Sequence, residues 1–335
     1  MSNRSTPSIT SSACRENERE AEPAIEPATI LSASAIKAAA RQLGFAACGI
    51  APAEPMAEPY ASRLKQWIAE GQHGEMDYLE RQLEMRLDPR LVVEGAQTVV
   101  SLALNYYPRT TLSPEGFDFA RYAYGKDYHD VVRQRLRLLM AELGLEEHTD
   151  GRPFCDTAPI DERYWARRCG LGWTGKNTQL IIPRAGSYFF LGELLLKHPC
   201  DHYDTPMEES LCGTCRRCLD ACPTQALDGE HLDARRCLSY LTIEHRGALP
   251  EAIKAKLGRC VYGCDRCAEA CPWNKFARAT DVDEFYPSEA LQAMTADDWR
   301  RLTVEQYRLL FKGSAVKRAK FEGLQRNINA IEASD

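Results

Sequence analysis

The chain has 335 residues, 44% hydrophobic and 27% charged, with 42 bases against 48 acids for a net charge of −6. That length holds about two domains at ~150 residues each, mean hydropathy is −0.42, and no run approaches the ~18 apolar residues of a membrane span. These figures exclude a helical membrane protein, a small disulfide scaffold and a chain that coats nucleic acid through overall positive charge.

Residues 1–28 are rich in Ser, Glu, Ala and Pro and lack the apolar core of a signal peptide, which predicts a disordered tail and a reducing cytoplasm. Residues 31–45 read as a helix and its end, capped by Ser32 or Ser34 and stopped by Gly44. A strand is predicted over 46–51. A helix follows over 60–71, with Leu64, Trp67 and Ile68 on one face. Residues 98–104 are a buried strand, and 128–143 a helix with Val131, Val132, Leu136, Leu139, Met140 and Leu143 inside. Strands over 178–183 and 187–196 complete an α/β domain over 29–205. A cysteine-rich module over 206–275 and a helical segment over 276–335 make the whole chain α+β.

Nine of the fourteen cysteines fall between Cys212 and Cys271. Cys212-x2-Cys215-x2-Cys218-x3-Cys222-Pro223 is the full bacterial ferredoxin run, in which the fourth cysteine ligates a second cluster. Cys264-x2-Cys267-x3-Cys271-Pro272 is its partner. Reciprocity gives one [4Fe-4S] cluster Cys212, Cys215, Cys218 and Cys271, and the other Cys264, Cys267 and Cys222. The last thiolate is open between Cys237, which we favour, and Cys260, one residue off the repeat register. Zinc ribbons use two CxxC pairs, so the three-thiol run with Cys-Pro ends speaks for iron.

Two glycine patterns mislead. Gly170-Leu-Gly172-Trp-Thr-Gly175 has the dinucleotide spacing, but a helix precedes it and a strand follows, the reverse of a nucleotide loop. Gly175-Lys176 lacks the Ser or Thr of a P-loop, since Asn177 stands there. Asp127-Tyr128-His129 contains Asp-x-His, but Val132 replaces the glycine that a lower-ligand cobalamin motif needs. Asp156, in Phe154-Cys-Asp-Thr-Ala-Pro159, precedes a helix. The residues alone favour a helix start there over a general acid raised by apolar neighbours. From Trp299 to Arg326, eight bases face only Glu305 and Glu322, so an anionic partner and a solvated helix face are equally good readings.

These motifs together resemble the epoxyqueuosine reductase family: Phe-Cys155-Asp156-Thr-Ala-Pro, Gly170-Leu-Gly-Trp-Thr-Gly-Lys-Asn, Gly186-Ser-Tyr-Phe-Phe-Leu-Gly-Glu, the two cysteine runs, Cys237-Leu-Ser-Tyr-Leu-Thr-Ile-Glu and Cys271-Pro-Trp-Asn274. The resemblance spans about residues 30 to 280 and is to a short form of the family. It implies a nitroreductase- and reductive-dehalogenase-like cobalamin-binding domain over 29–205, and a ferredoxin-like two-cluster module over 206–275. The implied reaction reduces epoxyqueuosine to queuosine at the wobble position of tRNA. Electrons come from an external low-potential donor, pass through two [4Fe-4S] clusters, and act at cobalamin. The family pattern makes Asp156 the proton donor, a carboxyl kept protonated by desolvation, and makes Cys237 the fourth ligand of the second cluster. Cobalamin contacts are implied at Arg86, Asp127, Tyr128, Asp156, Arg163, Lys176, Leu180, Leu191, Cys264 and Asp265. The basic C-terminal stretch then meets tRNA phosphates, and one chain suffices as a monomer. The rival readings are a reductive dehalogenase, which the Ser-Tyr-Leu-Thr-Ile-Glu stretch opposes, and a ferredoxin-type electron carrier, which leaves the α/β domain unused.

Overall fold

The computed structural model describes Met1 and residues 29–333; the expected N-terminal tail lies, Met1 apart, outside them. The strands that matter below are β1 (Ala47–Pro52), β2 (Thr98–Asn105), β3 (Asp118–Phe119), β4 (Gly151–Phe154), β5 (Phe189–Leu196) and β6 (Cys260–Tyr262). The helices are α1 (Ala33–Gln42), α2 (Tyr60–Ala69), α3 (Tyr128–Glu142), α4 (Glu162–Arg168), α5 (Leu238–Ile243) and α6 (Lys320–Glu332). Predicted and observed bounds agree to within a few residues for α1, β1, α2, β2, α3 and β5. Ser32 does precede α1, without a side-chain capping bond. The strand expected over 178–183 shrinks to Leu180–Ile181, paired only with Trp173–Thr174. Strand β4, in Gly-Arg-Pro-Phe, has no sequence signal because Pro153 speaks against a strand.

The central sheet runs β1-β2-β5-β4, antiparallel throughout. Both faces are covered, so β2 and β5 are apolar nearly end to end rather than alternating. Val100, Leu102, Leu104, Leu194 and Leu196 meet α1 and α3. Val99, Ala103, Leu191 and Leu195 meet α4 on the other face. Gly192 lets α3 approach, because a Cβ there would lie 2.7 Å from Val132.

A third core joins β3, α5, β6 and the C-terminal helices, through Phe119, Leu241, Tyr262, Trp299, Phe311 and Ile328 among others. No separate core marks the boundary expected at 275/276. Asn327 of α6 is fully buried, and its Nδ2 donates to the carbonyls of Thr242 and Val261 at 2.9 and 2.8 Å. The C-terminal segment is thus part of the wall behind the cysteine module. Several of its bases are structural: Arg326 donates to the carbonyls of Leu241, His245 and Gly247, Arg318 pairs with Glu244, and Arg300 pairs with Asp297 and Glu332. The free basic face expected from the charge count is correspondingly smaller. No helix among the described residues is long and apolar enough to cross a membrane.

Candidate active site

A cavity of about 1130 Å³ opens between the α/β layers and the cysteine module. Helix α3 lines part of it, backed by strand β5. Tyr128, in the first turn of α3, stacks flat on Phe190 of β5 with ring centroids 4.3 Å apart. Asp127 caps α3, accepting the His129 N–H at 3.1 Å. His129 then stands with Nδ1 2.5 Å from Asp127 and Nε2 3.1 Å from Asp156. The Tyr128 hydroxyl also donates to Asp156.

Asp156 sits on the loop from β4 to α4 with φ of +56°, a left-handed conformation that Asp tolerates better than most residues. Its side chain is 56% exposed to the cavity while protein surrounds it. That setting raises its pKa, but hydrogen bonds from His129 and Tyr128 outweigh the rise and hold the carboxyl below its ordinary range. His129 also resists charging through burial, yet its bonds to Asp127 and Asp156 push it up to about 9. The proton therefore rests on His129 near neutral pH, and the expectation of a protonated Asp156 is not met in this structure. The reason is a charge-assisted pair that the sequence places 27 residues apart.

Beneath the loop lie two further acids. The Asp156 amide donates to Glu162 at the start of α4. Glu193 of β5 has no exposure and accepts from Ser101 Oγ at 3.0 Å. Burial raises its carboxyl to about 8.

Two buried donors in the cavity wall lack partners. Arg86, 8% exposed, leaves Nε unpaired; Asn177, 2% exposed, leaves Nδ2 unpaired. The same cavity is also lined by Cys222, Cys237, Cys264 and Cys267. The Cys267 thiol is pushed up by burial and then by Cys264, Cys237 and Cys222. Cys218 is likewise pushed up by burial and by Cys212 and Cys271, and Cys271 by burial and by Cys212 and Cys215. The thiols thus gather into two sets, Cys212, Cys215, Cys218 and Cys271 in one and Cys222, Cys237, Cys264 and Cys267 in the other, with Cys260 beside Cys264. Cys260 is buried, and its Sγ donates to the Gly263 carbonyl; its thiol neighbour is Cys264.

Of the residues expected at a cofactor, Arg86, Asp127, Tyr128, Asp156, Arg163 and Cys264 line the cavity. Four others do not. Leu180 and Leu191 are packed in the core around α4. Lys176 reaches away and donates to the carbonyls of Gly213 and Cys215 at 2.7 and 3.1 Å, pinning the first cysteine loop. The Asp265 carboxylate is tied to the Arg121 amide and guanidinium. Sequence reasoning missed His129, Asn177 and the Glu162–Glu193 pair. The Asp-cap-to-His spacing was the available signal for His129; nothing local marks the others. Asn274 explains one motif. Its Oδ1 accepts the Ser187 N–H at 2.7 Å, and it packs where a Cβ on Gly186 would collide, so Gly-Ser and Cys-Pro-Trp-Asn lock the two halves together.

Comparison with known proteins gives the same picture. A family model for a 4Fe-4S double cluster binding domain matches residues 211–274, and one described as epoxyqueuosine reductase QueG, DUF1730 matches residues 86–157. The epoxyqueuosine reductase of Leadbetterella byssophila is 46% identical over 298 residues, covering 89% of this chain and 97% of its own length. That of Pseudomonas aeruginosa is 41% identical over 304 residues, covering 88% and 83%. A solved epoxyqueuosine reductase with an epoxyqueuosine-modified tRNA-Tyr stem loop superposes with a TM-score of 0.81 at 30% identity, over 90% of this chain and 80% of that one. A Bacillus subtilis structure, in which an aspartate catalytic loop is swung out of the active site, superposes at 0.79 and 30% identity, over 90% and 81%. With that identity, coverage and shared fold, the chain belongs to the epoxyqueuosine reductase family of oxidoreductases.

Proposed function

We propose that this chain reduces epoxyqueuosine to queuosine at the wobble position of tRNA, with cobalamin in the cavity and two [4Fe-4S] clusters behind it. One observation carries the reading: a single cavity is lined both by Asp156, Tyr128 and His129 and by Cys222, Cys237, Cys264 and Cys267. A proton source and an electron source thus face one space. The tRNA substrate is supported by the relative solved with a modified stem loop.

The residues fit the groups. Four-thiolate sets suit iron–sulfur clusters: Cys212, Cys215, Cys218 and Cys271 for the first, and Cys222, Cys237, Cys264 and Cys267 for the second. The cavity exceeds the ~300–1,000 Å³ of ordinary ligand pockets, and the unpaired Arg86 Nε and Asn177 Nδ2 await polar edges of a large cofactor. Cobalamin, when bound, supplies the reductant at the epoxide carbon.

The chain's own residues handle the proton. The proton starts on His129, held protonated between two carboxylates, and passes through Asp156 to the departing oxygen. Tyr128 orients the carboxylate. The swung-out position of the aspartate catalytic loop in the Bacillus subtilis relative suits a group that must clear space for a nucleoside and then close on it. Lys317, exposed and lining the cavity, meets tRNA phosphates. All these groups come from one chain, consistent with a cytoplasmic monomer served by an external low-potential donor.

The test is iron and sulfide analysis of anaerobically reconstituted protein, followed by titration with cobalamin in the visible range. About eight irons per chain and a perturbed corrin spectrum support the proposal. Eight irons with no cobalamin binding leave an electron carrier and overturn it.

A further inference from the structure

Glu193 is an acid in the middle of a sheet. Its register sets it beside Ser101 of β2 and Phe154 of β4, on the face covered by α4. The side chain has no solvent exposure. Ser101 satisfies Oε1, whereas no N–H or hydroxyl donor reaches Oε2; the Glu162 carboxyl is its side-chain neighbour, and Glu193 forms no salt bridge among the described residues. The titratable groups that bear on it are acidic: Asp161 and Glu162 from α4 and Asp156 from the loop. The thiols of Cys155 and Cys169 feel it in turn. The cations of this region act on the neighbouring acids: Arg163 on Glu162 and Asp156, Arg86 on Asp161, Asp156 and Glu162, and His129 on Asp156. A buried carboxyl in acidic company keeps its proton.

Glu162 lies between this acid and the loop. Its carboxylate accepts the amide N–H of Asp156, the residue with the left-handed backbone, a conformation that a non-glycine residue holds only where its surroundings fix it. We propose that Glu193 is a positioning residue: its carboxyl and that of Glu162 share one proton, and this pairing holds Glu162 where it clamps the Asp156 loop into the cavity wall. The value given to the loop rests on Asp156 as the acid, but the clamp itself does not.

The sign follows from the raised acid. Stabilisation of the docked loop is complete below the ordinary glutamate range and is lost as pH rises through about 8. Above that, two carboxylates face each other out of water, Glu162 is repelled, and the Asp156 amide loses its acceptor.

The experiment is hydrogen–deuterium exchange of residues 155–160 in the full, cluster-reconstituted chain, corrected for intrinsic exchange, together with the infrared band of a protonated carboxyl. From about pH 7 to about pH 9, protection of the Asp156 amide should fall about tenfold, and a buried carboxylic band should disappear in step. Glu193→Gln, which keeps a donor but cannot ionise, should abolish that band and keep the loop protected at both pH values. Glu193→Ala should loosen it at both. Protection that does not change with pH in the wild type, or no carboxylic band near neutral pH, overturns the clamp; the wild-type data decide this even if a variant fails to fold. Loss of activity in Asp156→Asn with intact pH-dependent protection separates the clamp from the role of the acid.

Discussion

His129 Nε2 lies 3.1 Å from Asp156 Oδ2. This contact joins the first turn of α3 to the loop before α4 and decides where the site keeps its proton. His129 is pushed up to about 9, while Asp156 is held low. The histidine's share of the pair's stabilisation is complete below its ordinary value and is lost as pH rises through about 9, while the share of Asp156 is complete above the ordinary carboxylate value and is lost on acidification. NMR titration of the His129 ring should show this elevated value, and Asp156→Asn should lower it by removing one of its two carboxylate partners. A ring that titrates at the ordinary value in wild type removes His129 as the reservoir.

Asp156→Asn tests the acid itself. Asn tolerates the left-handed backbone and is nearly isosteric, so iron content and cobalamin binding should be unchanged. Turnover should fall by roughly 10²- to 10⁴-fold, the usual contribution of a general acid. Turnover within a few-fold of wild type means the proton comes from elsewhere.

The fourth ligand of the second cluster separates Cys237 from Cys260. Cys237 shares its surroundings with Cys222, Cys264 and Cys267, whereas Cys260 donates to the Gly263 carbonyl. Cys237→Ser should remove or destabilise one cluster, seen as a loss of up to about half the iron. Cys260→Ser should retain the full complement. The reverse pattern reassigns the ligand.

The C-terminal bases divide by function. Arg326 donates to three main-chain carbonyls, two of them part-buried, so Arg326→Ala should cost ~1–3 kcal/mol of stability by leaving these acceptors unpaired, read as a lower Tm. Lys317→Ala, at the cavity rim, should leave Tm unchanged, weaken stem-loop binding and reduce the salt slope by about 1. Equal effects of the two on Tm contradict this division.

How much of this was legible in the sequence depended on range. Strand β2 and helix α3 announce themselves through continuous or periodic apolar residues, and the cysteine runs carry their chemistry in their spacing. Strand β4 stayed hidden because its Pro153 pairs at the sheet edge, where a missing N–H is tolerated. Asp156 was readable only through family resemblance, since Asp before Thr-Ala-Pro fits a helix start equally well. The proton's location was not readable at all. It depends on His129 and Glu193, which reach the loop through tertiary folding from 27 and 37 residues away. Leu180 and Leu191 show the converse: motif positions near a cofactor in sequence whose side chains serve the core.

The most direct measurement is mass spectrometry of an epoxyqueuosine-bearing anticodon stem loop after incubation with the reconstituted chain, cobalamin and a low-potential reductant. Loss of one oxygen atom from the modified base, dependent on both cobalamin and intact clusters, is the outcome required by a cavity that Asp156 and Cys264 both line. Unchanged substrate with fully loaded protein, or conversion at the same rate without cobalamin, contradicts it.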